Sequence, residues 1–417
     1  MGWNKRWNAG LKRFMAVAVL FVIGVTAGCG KKAEQTGSKG GGFCSDISVF
    51  DCLLGQSFCD KGMVRIEEGL MMFYEYETGR SYPLCSDAYC EHVPYDEKKN
   101  PDPVCEATMK DLKTACVHGD YVYTIQQTGI QELTVQARNL KESGYRVVAK
   151  LPYCQTFSTS GYNAIIGDKA YLLLGEIDKV FGDELISSYT SNDLYTFLVE
   201  LDLRTGEYKT LFHIEGEEKY QILQTVYDKE GIYCRCYYGD VDFDEETMKL
   251  TVNEYREAFY YVPYDGTGVK ELCKELVDDV SYKNGEMPVV TVSGISEYGA
   301  YFVNEEMTKV ECYCYDGKKE TVFELPEGYT RLHIDGVSGN KMIMTLTDSK
   351  MNDKIAGLDL TTGELIIRDK LENISYVAVC DEGFWRYIDG EQGTYRELCT
   401  YRDIFYGEGT TLISIEG

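Results

Sequence analysis

The chain has 417 residues, 44% hydrophobic and 26% charged, a globular balance that excludes a wholly disordered chain and a polytopic membrane protein. Its 68 acidic residues against 42 basic ones give a net charge of −26, which argues against nucleic-acid binding because phosphates would be repelled. Tyrosine is abundant at 34, proline scarce at 8, and the meaning of the 16 cysteines depends on the compartment.

Lys5, Arg6, Lys12 and Arg13 form a basic start with no acidic residue, followed by an apolar run from Phe14 to Val25 that is too short for a permanent membrane span. Val25-Thr26-Ala27-Gly28-Cys29 closes it. Small residues before a cysteine at this place resemble a bacterial lipoprotein signal, residues 1–28, with Thr26 where Leu is more usual. That resemblance implies a diacylglyceryl group on Cys29, an N-terminal lipid in the membrane, and a body on the extracytoplasmic face. Gly30 to Gly42 is polar and rich in Gly, Ser and Lys, so residues 29–42 read as a lipidated tether. Removing four basic residues and no acidic one takes the charge from −26 to −30.

Residues 43–62 read as a lead-in carrying Cys44, Cys52 and Cys59, an odd number that cannot all pair locally, with Cys116 as an additional partner. From residue 63 a pattern recurs: a Gly-containing turn, a Tyr-rich strand, a turn, and a closing strand. Met63 to Cys85 is a short copy. Fuller ones lie at roughly 115–152, 164–214, 226–277, 291–326, 334–371 and 376–415. The clearest hairpins are FLVELDL-RTGE-YKTLFHI from Phe197 and IAGLDL-TTGE-LIIRDKL from Ile355. Glycine in such turns accepts the positive φ they need. Weak helical periodicity shows only near 106–114 and 245–257.

Four antiparallel strands per unit, with a period of about 40–50 residues, predict an all-β fold over residues 63–417: a β-propeller of about seven blades, with six or eight also open. The LDL-x-TGE spacing resembles loosely patterned propellers of TolB-like and quinoprotein-like type. Tyr82-Pro83-Leu84-Cys85, Cys90, His92 and Cys105 are similar to a segment of uncharacterised propeller lipoproteins of Gram-positive gut anaerobes. That resemblance speaks for fold and location, since propellers host many unrelated activities.

Three constellations carry chemical interest. Cys85, Cys90, His92 and Cys105, in an excursion at 85–116, fit either a disulfide that staples residues 93–104 outside the cytoplasm or a Cys₃His zinc set; reduced buried thiols are a third reading. Cys234/Cys236 and Cys312/Cys314 are C-x-C pairs on strands, with both members on one face, as packing thiols would be. Asp240, Asp242 and Asp244 alternate as calcium ligands would, but Glu245 replaces the turn glycine and no Glu stands at the twelfth position, so a solvated acidic loop is the simpler reading.

His118, His213 and His333 sit beside turns or strand ends, where structural hydrogen bonds are their ordinary role, and Trp385 reads as blade core. No G-x-S-x-G, phosphate-cradling glycine loop or H-E-x-x-H is present, so no catalytic residue is assigned. The expected protein is a membrane-anchored binding or scaffold module for a protein, sugar polymer or cationic ligand. The alternatives are a propeller enzyme acting on a glycan and a metal- or redox-linked sensor built on the Cys/His cluster.

Overall fold

A computed structural model describes residues 47–416, apart from 52–54, 60, 76–79, 156–162, 178–179, 182–183, 186–193, 215–220, 228–229, 245–248, 275–281, 284–291, 339, 370–374, 381–382, 391–392 and 401–414. Cys29, Cys44 and Cys52 lie outside the described residues.

The described chain is all-β, and among its residues no helix occurs. Antiparallel four-strand meanders follow one another at 56–83, 112–151, 163–212, 221–274, 292–324, 329–369 and 375–416, a propeller-like succession. In the first, Gln56–Phe58, Gly62–Glu67, Leu70–Glu75 and Ser81–Pro83 pair in chain order. Part of the cysteine-bearing lead-in is therefore strand within this sheet. Ile47–Asp51 pairs with Gln56–Phe58 on one side and with Asn163–Ile166 on the other. It thereby joins the 56–83 and 163–212 meanders into one sheet, which Cys154–Gln155, paired with Lys169–Ile177, brings to ten strands.

Both weak helical periodicities give way to other structure. Leu112–His118 and Lys249–Pro263 are strands, the latter laddered along Gly231–Asp244 from Asp244↔Lys249 to Gly231↔Pro263. A long partner strand satisfies the backbone there, and the Phe259-Tyr260-Tyr261-Val262 run favours a pleated surface.

Successive sheets bury their faces against one another. Val64, Met71 and Phe73 pack with Ala115, Val117 and Val122 of the next sheet. Ile125, Leu133 and Val135 then meet Ile165, Leu172 and Val199. Leu173 and Leu198 meet Ile232, Cys234 and Ala258. Phe259 meets Val292 and Phe302, and Val310 meets Leu332 and Met342. Each Val, Leu, Ile, Met or Phe among them contributes roughly 1.5–3 kcal/mol when fully buried. Strand sequences follow position. Lys341–Asp348, a central strand, is buried at six successive positions, whereas the edge strand Lys319–Glu324 buries only Phe323. Charged edge strands discourage pairing with foreign chains.

The LDL-x-TGE turns repeat atom for atom. Asp202 Oδ1 accepts from the Arg204 and Thr205 amides at 2.9 Å each, and the Gly206 amide donates to the Asp202 carbonyl at 2.8 Å. Asp359 does the same with Thr361, Thr362 and Gly363. Gly206 and Gly363 take φ of 78° and 72°, the left-handed region that favours glycine.

Candidate metal centre

Between the 56–83 and 112–151 sheets the chain leaves the meander for a loop from Leu84 to Asp111. Its base is fixed by main-chain bonds: Met71 donates to Ala107 O at 2.7 Å, and Leu84 donates to Met71 O at 2.8 Å. Within it, Asp96 accepts from the Lys98 and Lys99 amides at 2.9 and 2.8 Å, and the Asn100 amide group donates to Val93 O and Pro94 O at 3.2 and 3.0 Å. Tyr95 is tied to Thr108 Oγ1 at 3.0 Å. The excursion is thus folded back on its own base.

These ties bring one donor atom each from Cys85, Cys90, His92 and Cys105 within 4.8 Å of one another. All three cysteines are thiols; Cys105 is buried, and the other two are half-buried. Cys105 Sγ and His92 Nδ1 are 3.6 Å apart, and the His92 amide donates to Cys90 Sγ at 3.4 Å. His92 has φ of 51°, a left-handed turn that histidine visits more readily than most residues. Burial pushes the Cys105 thiol up to about 12, against a lowering hydrogen bond from the Ala107 amide; Cys90 and Cys85 raise it further. Three thiols and an imidazole can hold a soft divalent metal or be oxidised to a disulfide.

Two residues beside the cluster hold its ends. Glu106 Oε2 accepts from the Ser86 amide at 3.0 Å and the Ser86 hydroxyl at 2.7 Å, while its Oε1 accepts from the Gly144 amide at 2.8 Å. Glu106 is partly buried, which raises its pKa; the Ser86 and Gly144 hydrogen bonds and nearby Arg138 outweigh this and hold the carboxyl below its ordinary value. Arg138, 2% exposed, donates to Leu84 O at 2.9 Å and stands 3.5 Å from Glu106 Oε2. The residues following Cys85 and Cys105 are thereby bonded to each other, and both are fastened to the 112–151 sheet. The sequence signal for Arg138 is an arginine on the apolar strand Glu132–Asn139 (ELTVQARN). Glu106 gives only its adjacency to Cys105.

The other sequence candidates lie apart from this cluster. Asp240, Asp242 and Asp244 are on the Gly231–Asp244 strand rather than in a loop, and their side chains, like that of Trp385, lie outside the described residues. Cys234 and Cys236 face the core shared with the 163–212 sheet, and Cys312 faces that shared with the 329–369 sheet. Cys116 is buried in the core between the 112–151 and 163–212 sheets, and Cys59 donates to Gly62 O at 3.3 Å. His118 Nδ1 lies 2.8 Å from Ser48 Oγ, the His213 ring lies tilted against Phe197 with centroids 5.1 Å apart, and His333 is exposed on Tyr329–Ser338.

No family model matches the chain, and no curated protein matches it. Among solved structures it is similar to an acylaminoacyl peptidase of Pyrococcus horikoshii, with 10% identity over 84% of this chain and 50% of that one, at a TM-score of 0.43. TolB of Acinetobacter baumannii shares 12% identity over 68% of this chain and 62% of its own, at 0.30. A candidate 6-phosphogluconolactonase of Bacteroides uniformis shares 14% over 89% and 98%, at 0.33. The chain spans half the length of the peptidase and less than two thirds of TolB. At these scores the likeness is loose, and no chemistry is transferred from it.

Proposed function

We propose that the protein is a lipid-anchored, extracytoplasmic β-propeller of about seven blades that acts as a binding or scaffold module. The observation that carries this reading is a row of sheets packed face to face through shared cores, with tyrosines left exposed on separate units. Tyr82, Tyr121, Tyr208 and Tyr298 are 43%, 38%, 42% and 49% exposed on four different meanders. A tyrosine ring offers a large apolar face with a polar tip, which suits sugar polymers and protein surfaces. With 68 acidic residues against 42 basic ones, the body also favours partners with cationic groups. Packed sheets give exposed loops a rigid platform, where binding residues are commonly found.

The tether is tested by expressing the full chain and its Cys29→Ser variant in a bacterium fed a clickable fatty acid. The full chain should carry label and sediment with membranes, and the variant should lose both. Label independent of Cys29 overturns the anchor. The binding reading is tested by titrating the full chain, released in mild detergent, with soluble polysaccharides and basic peptides. Saturable binding weakened by Tyr208→Ala or Tyr298→Ala supports it; unchanged binding in both variants removes the exposed tyrosines from the reading.

A further inference from the structure

We propose that Cys85, Cys90, His92 and Cys105 form a closed tetrahedral site for Zn²⁺, and that Arg138 and Glu106 are its positioning residues. The donor set is the first argument. Thiolate and imidazole match a borderline-soft divalent ion, and four protein donors complete a four-coordinate shell with no position left for substrate, which is the character of a structural rather than a catalytic zinc site. The spacing is C-x₄-C-x-H-x₁₂-C, so one loop supplies all four donors.

Distance is the second argument. A Zn–S bond of about 2.3 Å and a Zn–N bond of about 2.0 Å, opened to the tetrahedral angle, place their ends about 3.5 Å apart. Cys105 Sγ and His92 Nδ1 stand 3.6 Å apart, and all four donors lie within 4.8 Å. A disulfide would use two of the sulfurs and give the third sulfur and the imidazole no reason to converge. Only a metal ion accounts for all four.

The surrounding hydrogen bonds are the third argument. The His92 amide donates to Cys90 Sγ at 3.4 Å. That sulfur thus accepts an amide from the second residue after it, a contact that fixes its position in the cluster. Beyond this, the Ser86–Glu106 bonds tie the residue after Cys85 to the residue after Cys105, and Arg138 anchors the adjoining Leu84 carbonyl. Outer partners of this kind orient ligands, and their loss typically weakens metal binding about 10–100-fold. Arg138 Nε is buried without a hydrogen-bond partner among the described residues. The arginine is therefore held for its Leu84, Asn139 and Glu142 carbonyl contacts and its charge beside Glu106.

Binding exchanges protons for metal. Each of the three thiols gives up a proton to solvent as its sulfur bonds zinc, His92 donates through a neutral ring nitrogen, and no oxidant or reductant is involved. The bound ion would close the loop from Cys85 to Cys105 and lock it beside the seam between the 56–83 and 112–151 sheets. This site is independent of the tether and of any ligand on the sheets.

The test uses the full chain, purified with a thiol reductant, stripped with a chelator and titrated with Zn²⁺ against a chromophoric chelator. Co²⁺ is titrated separately by absorption. The expected result is one equivalent of each ion, and a Co²⁺ spectrum with tetrahedral ligand-field bands and thiolate charge transfer. Cys90→Ser, at a half-buried position that folding should tolerate, is expected to lower Zn²⁺ affinity at least about 100-fold and to remove about a third of the charge-transfer intensity. Arg138→Met and Ser86→Ala are expected to weaken Zn²⁺ about 10-fold or more with the Co²⁺ spectrum intact. Arg138→Lys should restore part of the Arg138→Met loss.

No stoichiometric uptake in reduced protein overturns the site, as does uptake that Cys90→Ser leaves unchanged. A Cys85–Cys90, Cys85–Cys105 or Cys90–Cys105 disulfide in metal-free protein isolated from its native compartment also overturns it. Zinc affinity unchanged in both Arg138→Met and Ser86→Ala overturns the positioning role alone.

Discussion

Two regions of this molecule use the same residue types to different ends. At the centre of the 221–274 sheet, Cys234-Arg235-Cys236 places two thiols on one face and an arginine on the other. Arg235 is bonded bidentately to Glu257 at 2.7 and 2.5 Å and donates to Val292 O at 3.0 Å. Burial raises the pKa of both flanking thiols. In the loop at 84–106, three thiols meet a histidine instead of apolar neighbours, and Arg138 spends its donors chiefly on backbone carbonyls. The first region is a crossbar between two sheets. The second organises a loop that has little apolar core of its own. What separates them is the surroundings: the Cys234 and Cys236 thiols lie among apolar side chains, whereas those of the 84–106 loop lie beside one another and a histidine.

The largest expected effect falls on the crossbar. Glu257→Gln leaves the Arg235 charge buried without its counter-ion and should cost about 3–5 kcal/mol in chemical denaturation. Glu106→Gln, measured in the same way with chelator present, should cost less, about 1–3 kcal/mol, because Arg138 keeps its carbonyl partners. Equal losses would mean that the two arginines play the same part.

Alkaline pH tests the inertness of the core thiols. Burial pushes Cys154 up to about 12, with a nearby Glu176 adding to it. A folded pKa above the unfolded value favours the protonated thiol. Its stabilising share is therefore complete below about pH 8.5, the unfolded value, and is lost as pH rises toward the folded one. From about pH 8.5 to about pH 10.5, Cys154 alone should cost roughly 2–3 kcal/mol. Cys154→Ala should flatten that slope in denaturant melts; an unchanged slope removes Cys154 from the account.

Replacing a thiol by a hydroxyl separates the two cysteine classes directly. Cys234→Ser buries a more polar group among Leu173, Leu198 and Ile232 and should cost about 1–3 kcal/mol whether or not zinc is present. Cys90→Ser should change the melt of chelated protein by less than about 0.5 kcal/mol, but should abolish the gain that zinc gives the full chain. At the small end, Asp120→Asn breaks an exposed 3.8 Å pair with Lys61 and should shift stability by no more than about 0.5 kcal/mol.

Much of this fold could be read from the chain. The TGE and DGTG turns mark hairpins because the left-handed region favours glycine, and Asp202 and Asp359 close their turns as their spacing predicts. The Tyr-rich runs became central strands because alternation and β-propensity agree there. The helical periodicity at 245–257 misled because local spacing does not show that Gly231–Asp244 supplies a full partner ladder. The four donors of the loop were legible as residue types at a known spacing. Their convergence was not, because the loop's ends are held by contacts between residues far apart in sequence, such as Met71 to Ala107 and Arg138 to Leu84.

By itself the sequence determined an acidic, tyrosine-rich, repetitive β-chain, because composition and turn chemistry are local properties. Only the tertiary structure decided which cysteines lie in apolar cores and which converge with a histidine, because burial and convergence depend on residues far apart in the chain. It also decided that Ile47–Asp51 bridges two meanders through Gln56–Phe58 and Asn163–Ile166. A strand's own residues state that it will be a strand; its partners are set by which edges the packed sheets leave open.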